Sequence, residues 1–255
     1  MRKLIFIVGL IITGVLVVSC RPVKITANHE LPSAESIIDR YVEATGGVEA
    51  YKKIKNTFAK GAAEFVAPGA PGITGDLTMA AAAGPGFRLL VVDIPGVGKV
   101  GQVCNGKIVW EYNLGRETSL LKGKELEEIL FGAKFKIEDW RDSYKSVETR
   151  AIETVEGEEC YSVMLTSKVG TAETRYFSKA TGLLVRIDFK SHRGVNVEEA
   201  YKDYRSVDGV LKPFQAVQKI NGQTNSIMTY KEIKHNTDLP ESMFEPPAEV
   251  KALFI

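Results

Sequence analysis

The chain has 255 residues, 44% of them hydrophobic, with 33 basic and 32 acidic side chains and a formal charge of +1. That is apolar material for one large core or two small ones. A balance so close to neutral argues against nucleic acid and against a polybasic grip on lipid headgroups. Without Arg2 and Lys3 it becomes 31 basic to 32 acidic, near −1.

In chain order, Met1–Cys20 comes first. Arg2 and Lys3 precede a nearly unbroken apolar run, Leu4 to Val18, interrupted only by Gly9, Thr13 and Gly14. This is the layout of a bacterial export signal, too short and too one-sided for a good membrane-spanning helix. The run closes on Val17-Val18-Ser19-Cys20, which resembles the lipobox of bacterial lipoproteins. The resemblance implies cleavage before Cys20 and acylation there with palmitate-type chains, making Cys20 the membrane anchor. Each buried CH₂ is worth about 0.8 kcal/mol, so several chains hold nearly permanently. An uncleaved anchor helix, or plain secretion with Cys20 as a bystander, is the alternative. In the lipoprotein family an Asp after the cysteine marks inner-membrane retention; Arg21 implies the outer membrane, facing the periplasm. The expected division is therefore a signal peptide (1–19), a lipidated N-terminus and polar tether (20–31) and one domain (32–255).

Pro32-Ser33 opens a helix, with Ser33 as N-cap and Glu35 in the first turn. Ile37, Ile38, Tyr41 and Val42 form one apolar stripe, and Thr45-Gly46-Gly47 ends it. Val48, Tyr51 and Ile54 mark a shorter helix. After Asn56 the period becomes two, predicting strands at Thr57–Val66, Ile73–Ala82, Phe87–Ile94, Gly98–Cys104 and Lys107–Asn113. Their turns are Pro68-Gly69 with Pro71-Gly72, Gly84-Pro85-Gly86, Pro95-Gly96 and Asn105-Gly106, the last a strong hairpin signal. Lys122–Phe131 is an amphipathic helix, and Glu138–Tyr144 adds a further turn or two. Strands resume at Val147–Glu156, Cys160–Ser167, Thr171–Ser178, Leu183–Lys190, Val195–Arg205, Pro213–Ile220 and Thr224–Ile233.

A dozen strands with helices at the start and middle predict a mainly β (α+β) fold. Its centre is one large curved antiparallel sheet whose helices plug the concave side. A sheet that long cannot stay flat without exposing an apolar face, so it must curl.

Several residues resemble those of the LolA/LolB-like superfamily. They are Ser36–Ala44 with Thr45-Gly46-Gly47, Tyr51, Ile54 and Lys55; Asn105-Gly106-Lys107 before Trp110; Tyr204, Val207-Asp208-Gly209-Val210 and Pro213-Phe214; and Asn236, Leu239-Pro240 and Phe244-Glu245-Pro246-Pro247. These are fold-keeping positions, not a catalytic signature. The resemblance implies an unclosed β-barrel with helices in its mouth around an apolar cavity. In characterised members that cavity takes acyl chains of lipoproteins or other lipids on their way to the outer membrane.

Chemistry-bearing motifs are few. Gly96-Val97-Gly98-Lys99-Val100-Gly101 spells G-x-G-x-x-G, but the alternation that follows leaves no helix for a dinucleotide, so it reads as a hairpin. His29, His192 and His235 are scattered and read as solvated; no H-E-x-x-H, C-x-x-C or G-x-S-x-G occurs. Glu153, Glu156, Glu158 and Glu159 straddle a turn and read as a solvated edge. Cys104 and Cys160 fall in strand-like runs, which favours buried free thiols over a disulfide. No catalytic group, metal or cofactor is expected. The remaining candidates are apolar: Phe87, Leu89, Val91, Trp110, Tyr112, Val163, Leu165, Val185, Ile187 and Phe189 either line a cavity for a lipid or acyl chain or form a filled core. The two leading readings are a lipid-anchored binding protein and a non-enzymatic interaction or sensory lipoprotein contacting another envelope protein.

Overall fold

The computed structural model describes residues 31–66, 72–191 and 194–254. The export segment, Cys20, the tether, His29 and His192 lie outside them, as do Pro68-Gly69 and Pro71.

Helix α1 (Ala34–Ala44) forms where the stripe predicts it. The Ser33 hydroxyl accepts from the Ser36 amide at 3.2 Å, satisfying an orphan donor of the first turn. Ala34, Ile37, Ile38 and Val42 are buried. The chain then turns through Gly46 (φ 135°) and Gly47 (φ 78°), a backbone only glycine adopts cheaply. A one-turn helix, α2 (Val48–Tyr51), follows.

The strands are β1 (Thr57–Phe65), β2 (Ile73–Ala82), β3 (Phe87–Ile94), β4 (Gly98–Asn105), β5 (Val109–Tyr112) and β6 (Ser119–Leu120). After helix α3 (Gly123–Ala133) and a 3₁₀ helix (Ile137–Asp142) come β7 (Tyr144–Val155), β8 (Glu158–Ser167), β9 (Ala172–Ser178) and β10 (Leu184–Lys190). The last three are β11 (Asn196–Val207), β12 (Val210–Ile220) and β13 (Gln223–His235). They form one sheet among the described residues, ordered β6-β5-β4-β3-β2-β1-β13-β12-β11-β10-β9-β8-β7. Every pairing is antiparallel, and β6 and β7 remain as edges, so the barrel does not close. This is the expected fold class.

The differences from the sequence reading are local. The two-residue strand β6 is too short to carry a periodic signal; it exists because Ser119 and Leu120 pair with Glu111 and Trp110. Strand β12 starts at Val210 and runs through Pro213, which pairs with Tyr204 beside Asp203 at φ 56°. The G-x-G-x-x-G stretch is the β3–β4 hairpin: Val91 pairs with Gly101, where a Cβ would stand 2.1 Å from the Leu90 carbonyl oxygen. Gly101 thus serves strand packing, while Gly96 (φ 74°) and Gly98 (φ 124°) serve the turn. Cys104 and Cys160 are buried and free.

Register defines two faces. Leu77, Val92 and Val100 align on the inner face, which carries α1, α3 and the 3₁₀ helix. Ala80, Leu89 and Val103 align on the outer face. Helix α1 fills one half of the inner side by packing on Val163, Leu165, Phe177, Leu184 and Val210. It is fastened at three points. Arg40 donates to the carbonyls of Lys179 and Ala180, both at 3.0 Å. Trp140 Nε1 and Arg141 donate to the two Asp39 carboxylate oxygens at 3.1 and 2.6 Å. The Leu211 amide donates to the Thr45 carbonyl at 2.9 Å.

The outer face of β3–β5 is also covered. The C-terminal segment lays Leu239, Met243, Phe244 and Val250 against Phe87, Leu89, Val91, Val103 and Trp110. Phe244 stacks on Phe87 with ring centroids 4.6 Å apart and is 2% exposed. Truncating such a ring removes its transfer energy and leaves a cavity. Phe244→Ala is therefore expected to destabilise by about 3–5 kcal/mol in urea unfolding. A loss below about 1 kcal/mol would show that this segment is not docked in solution.

Candidate ligand cavity

A cavity of about 680 Å³ lies on the inner side where the helices leave the sheet uncovered. Its apolar wall is Tyr41 from α1, Tyr51 and Ile54 around α2, Phe135 and Ile137 after α3, and Leu184, Ile187, Tyr201, Tyr204 and Pro213 from the sheet. Tyr41, Ile54, Phe135, Ile187, Tyr201 and Tyr204 are only half-buried although they sit inside the fold. Their unburied surface faces the hollow. The size falls within the range of small-molecule sites, roughly 300–1,000 Å³.

The ten apolar residues singled out in the sequence divide between the two faces. Val163 and Leu165 are on the inner face but fully buried under α1, so they are packed core. Ile187 lines the cavity. Phe189 shares its face, and at the strand's end borders a separate depression of about 310 Å³ with Glu173, Asp188, Lys190 and Glu198. Val185 packs on the outer face with Val155, Cys160 and Tyr176. A register shift between Leu184 and Arg186 separates it from Ile187, so strict alternation fails there. Phe87, Leu89, Val91, Trp110 and Tyr112 belong to the outer face under the C-terminal segment, not to the hollow. Alternation could not choose for β3, because both its faces are buried: Leu89 and Val91 on one side, Val92 and Ile94 on the other. Tyr201, Tyr204 and Lys212 were missed; the available signal was their place in the late hairpin, opposite the early helices.

The polar lining is mostly spoken for. Tyr51 donates to Thr45 Oγ1 and Tyr204 to the Leu184 carbonyl, both at 2.8 Å. Arg175 bonds Glu173 through Nε at 2.8 Å and Tyr144 at 2.6 Å, while Tyr144 donates to Glu173 at 2.9 Å. Asn56 and Asn236 bind reciprocally at the rim: Asn236 accepts from Lys55 N (2.7 Å) and donates to Lys53 O (3.0 Å), and Asn56 accepts from Thr237 N (3.0 Å) and donates to Thr237 O (2.9 Å).

Burial raises the pKa of Tyr41, Tyr51, Tyr201 and Tyr204, keeping these phenols neutral. Burial also pushes the Glu199 carboxyl up, against the opposing pull of Arg88. Lys212 is pushed down to about 8 by burial, with Glu138 acting the other way. His235, expected to be solvated, is 7% exposed; its ring Nδ1 lies 3.0 Å from Thr57 Oγ1, and burial followed by Lys212 lowers its pKa.

In the acidic turn, Glu156 pairs with Lys202 and Lys219 at 3.1 Å each and Glu159 with Lys179 at 3.0 Å, while Glu158 accepts from the Ser178 hydroxyl. Among the described residues, no three His, Cys, Asp or Glu side chains converge as a metal site, and no helix is long and apolar enough to cross a membrane.

The fold is similar to that of several solved proteins at low sequence identity. A LolA superfamily protein from Nitrosomonas europaea superposes with a TM-score of 0.56 at 15% identity, covering 85% of this chain and 99% of that one. A DUF1329 family protein from Desulfovibrio piger gives 0.56 at 16%, covering 83% and 97%. A candidate outer membrane lipoprotein-sorting protein domain from Vibrio parahaemolyticus gives 0.54 at 12%, covering 82% and 95%. No protein-family model matches the chain, and no curated protein matches it in sequence. The likeness expected from Thr45-Gly46-Gly47 and the late hairpin is therefore one of fold.

A lysine whose pKa falls on folding must release a proton, so over the interval from about 8 to the ordinary 10.5 the unfolded chain binds more protons. Stability from this group rises with pH across that window. Lys212→Met is expected to be more stable than wild type at pH 7, with the gap in unfolding midpoint closing towards pH 10.5. A gap independent of pH would show that Lys212 is not desolvated.

Proposed function

We propose that this chain is a lipid-anchored envelope protein that holds the apolar chain of a lipid, or another apolar ligand, in its half-barrel. The observation that carries this reading is the 680 Å³ hollow walled by half-buried Ile54, Phe135, Ile187 and tyrosines. Binding is non-covalent: apolar surface leaving water contributes about 25 cal/mol per Å². The lipoprotein-sorting description of the Vibrio parahaemolyticus domain supports a role in moving lipids or lipoproteins to the outer membrane. Cys20 is the anchor, placing the domain on a membrane surface, with Arg21 favouring the outer membrane. The protein is not an enzyme on this reading; its partners are an acyl-chain ligand, the membrane and an envelope protein that delivers or receives cargo.

Cys20→Ser is expected to move the chain from the membrane fraction to the soluble fraction and to abolish the acyl mass increment. Retention in the membrane would overturn the anchor. Native mass spectrometry of the full chain extracted from cells, followed by organic extraction, should find fatty acid or phospholipid. Ile187→Glu should lower lipid occupancy at least tenfold with the far-ultraviolet spectrum intact, while the solvent-exposed control Ile152→Glu, away from the cavity lining, keeps it. A chain that is empty and takes up no added lipid would overturn the carrier reading in favour of a protein-contacting lipoprotein.

A further inference from the structure

The cavity is apolar within but lopsided in charge at its edges. Lys52, Lys55, Lys136, Arg175 and Lys212 line it, against Glu138 as the one acidic side chain. Two of the five cations are already neutralised: Arg175 by Glu173 at 2.6 Å and Lys52 by Glu49 at 3.0 Å. Lys55 and Lys136 stand at the exposed rim.

Lys212 differs from these four. It comes from β12 into the cavity, half-buried, and its Nζ lies 5.1 Å from the centre of the Tyr51 ring. Among the described residues, no carboxylate oxygen lies within 4.0 Å of it. A desolvated ammonium facing a ring and a remote carboxylate is costly to fold, and that cost is recovered when an anion comes beside it. The two phenols beside it do not compete as donors, because the hydroxyl protons of Tyr51 and Tyr204 are committed to Thr45 and the Leu184 carbonyl. That leaves Lys212 as the cation set within the apolar wall, with Lys55 and Lys136 at the exposed rim.

Resting on the reading of the hollow as a lipid site, we propose that its mouth is an anion subsite. Lys212 holds the carboxylate or phosphate head of an acidic amphiphile whose apolar body lies against Ile54, Phe135 and Ile187. The protein thus selects anionic amphiphiles over neutral ones of the same chain length. The selection weakens with added salt only modestly, because the contact is screened from solvent.

Calorimetric titration of the full chain in a nonionic detergent, with decanoate and with decanol, tests this. Partition into micelles cancels between wild type and variant. Wild type should bind decanoate about tenfold or more tighter than decanol at pH 7. Lys212→Met should lose that preference and leave decanol affinity within about twofold. Decyl phosphate should compete where inorganic phosphate does not, identifying a lipid head as the source of the anion; displacement by inorganic phosphate alone would overturn the amphiphile assignment in favour of a free-anion site.

Affinity for decanoate should also fall between pH 7 and 10 in wild type and stay level in Lys212→Arg. The groups facing Lys212 are Tyr51 from α2, Tyr204 from β11, Glu138 from the 3₁₀ helix and His235 from β13. The phenols are raised out of that window and the imidazole is lowered out of it. Equal binding of acid and alcohol by wild type would overturn the subsite and leave the carrier reading standing. Binding of neither would overturn both.

Discussion

Everything in this structure depends on the pairing of β1 with β13. The two strands are far apart in sequence, and each belongs to its own antiparallel meander: β1 to β6 in one, β7 to β13 in the other. Their ladder, from Thr57–His235 to Phe65–Ser226, turns two sheets into one long enough to curl. The seam has a register shift between Lys60 and Gly61, where a Cβ on Gly61 would meet the Thr229 carbonyl oxygen at 2.1 Å. Backbones approach there as only glycine permits. At its end the Asn56 and Asn236 side chains stitch the exit of β13 to the segment after α2. One seam therefore sets both the curvature of the sheet and the edge of the cavity.

Curling creates an inner surface that must be covered, and the helices divide that work unevenly. Helix α1 is packed as core and tied to the β9–β10 and β11–β12 turns and to the 3₁₀ helix. Helix α3 covers Cys104 and Val109. Between them, α2 is a single turn and the chain after α3 is short, so part of the wall stays uncovered. The hollow is thus a gap between plugs, and its apolar lining follows from the same strand faces that form core elsewhere.

The charge arrangement follows from depth. The deep Arg175–Glu173–Tyr144 set is satisfied internally, because an unpaired polar group there is costly. Lys212, nearer the mouth, departs from that pattern: burial pushes its pKa down to about 8 and, among the described residues, no carboxylate oxygen lies within 4.0 Å to offset the cost. The outer face meets a different demand. The C-terminal segment shields β3–β5, leaving Trp110 1% exposed on the side away from the hollow.

The sequence by itself determined nearly all the strands, their hairpin turns, the capped first helix and hence the curled antiparallel class. These are local properties, readable from alternation, glycine-bearing turns and one apolar stripe. It also marked the free cysteines and the hairpin character of Gly96–Gly101. It did not determine which face of each strand looks inward. Val185 and Ile187 alternate correctly yet point to opposite faces, because a bulge sits before Arg186. Phe87, Leu89 and Val91 look like cavity wall until a segment more than 140 residues later is found covering them. Tyr201, Tyr204 and Lys212 become neighbours of Tyr41 and Tyr51 only when the first helix is plugged against the eleventh and twelfth strands. Bulges and long-range coverage leave no periodic trace, so the location of the cavity and the charge at its mouth were decided by the tertiary structure alone.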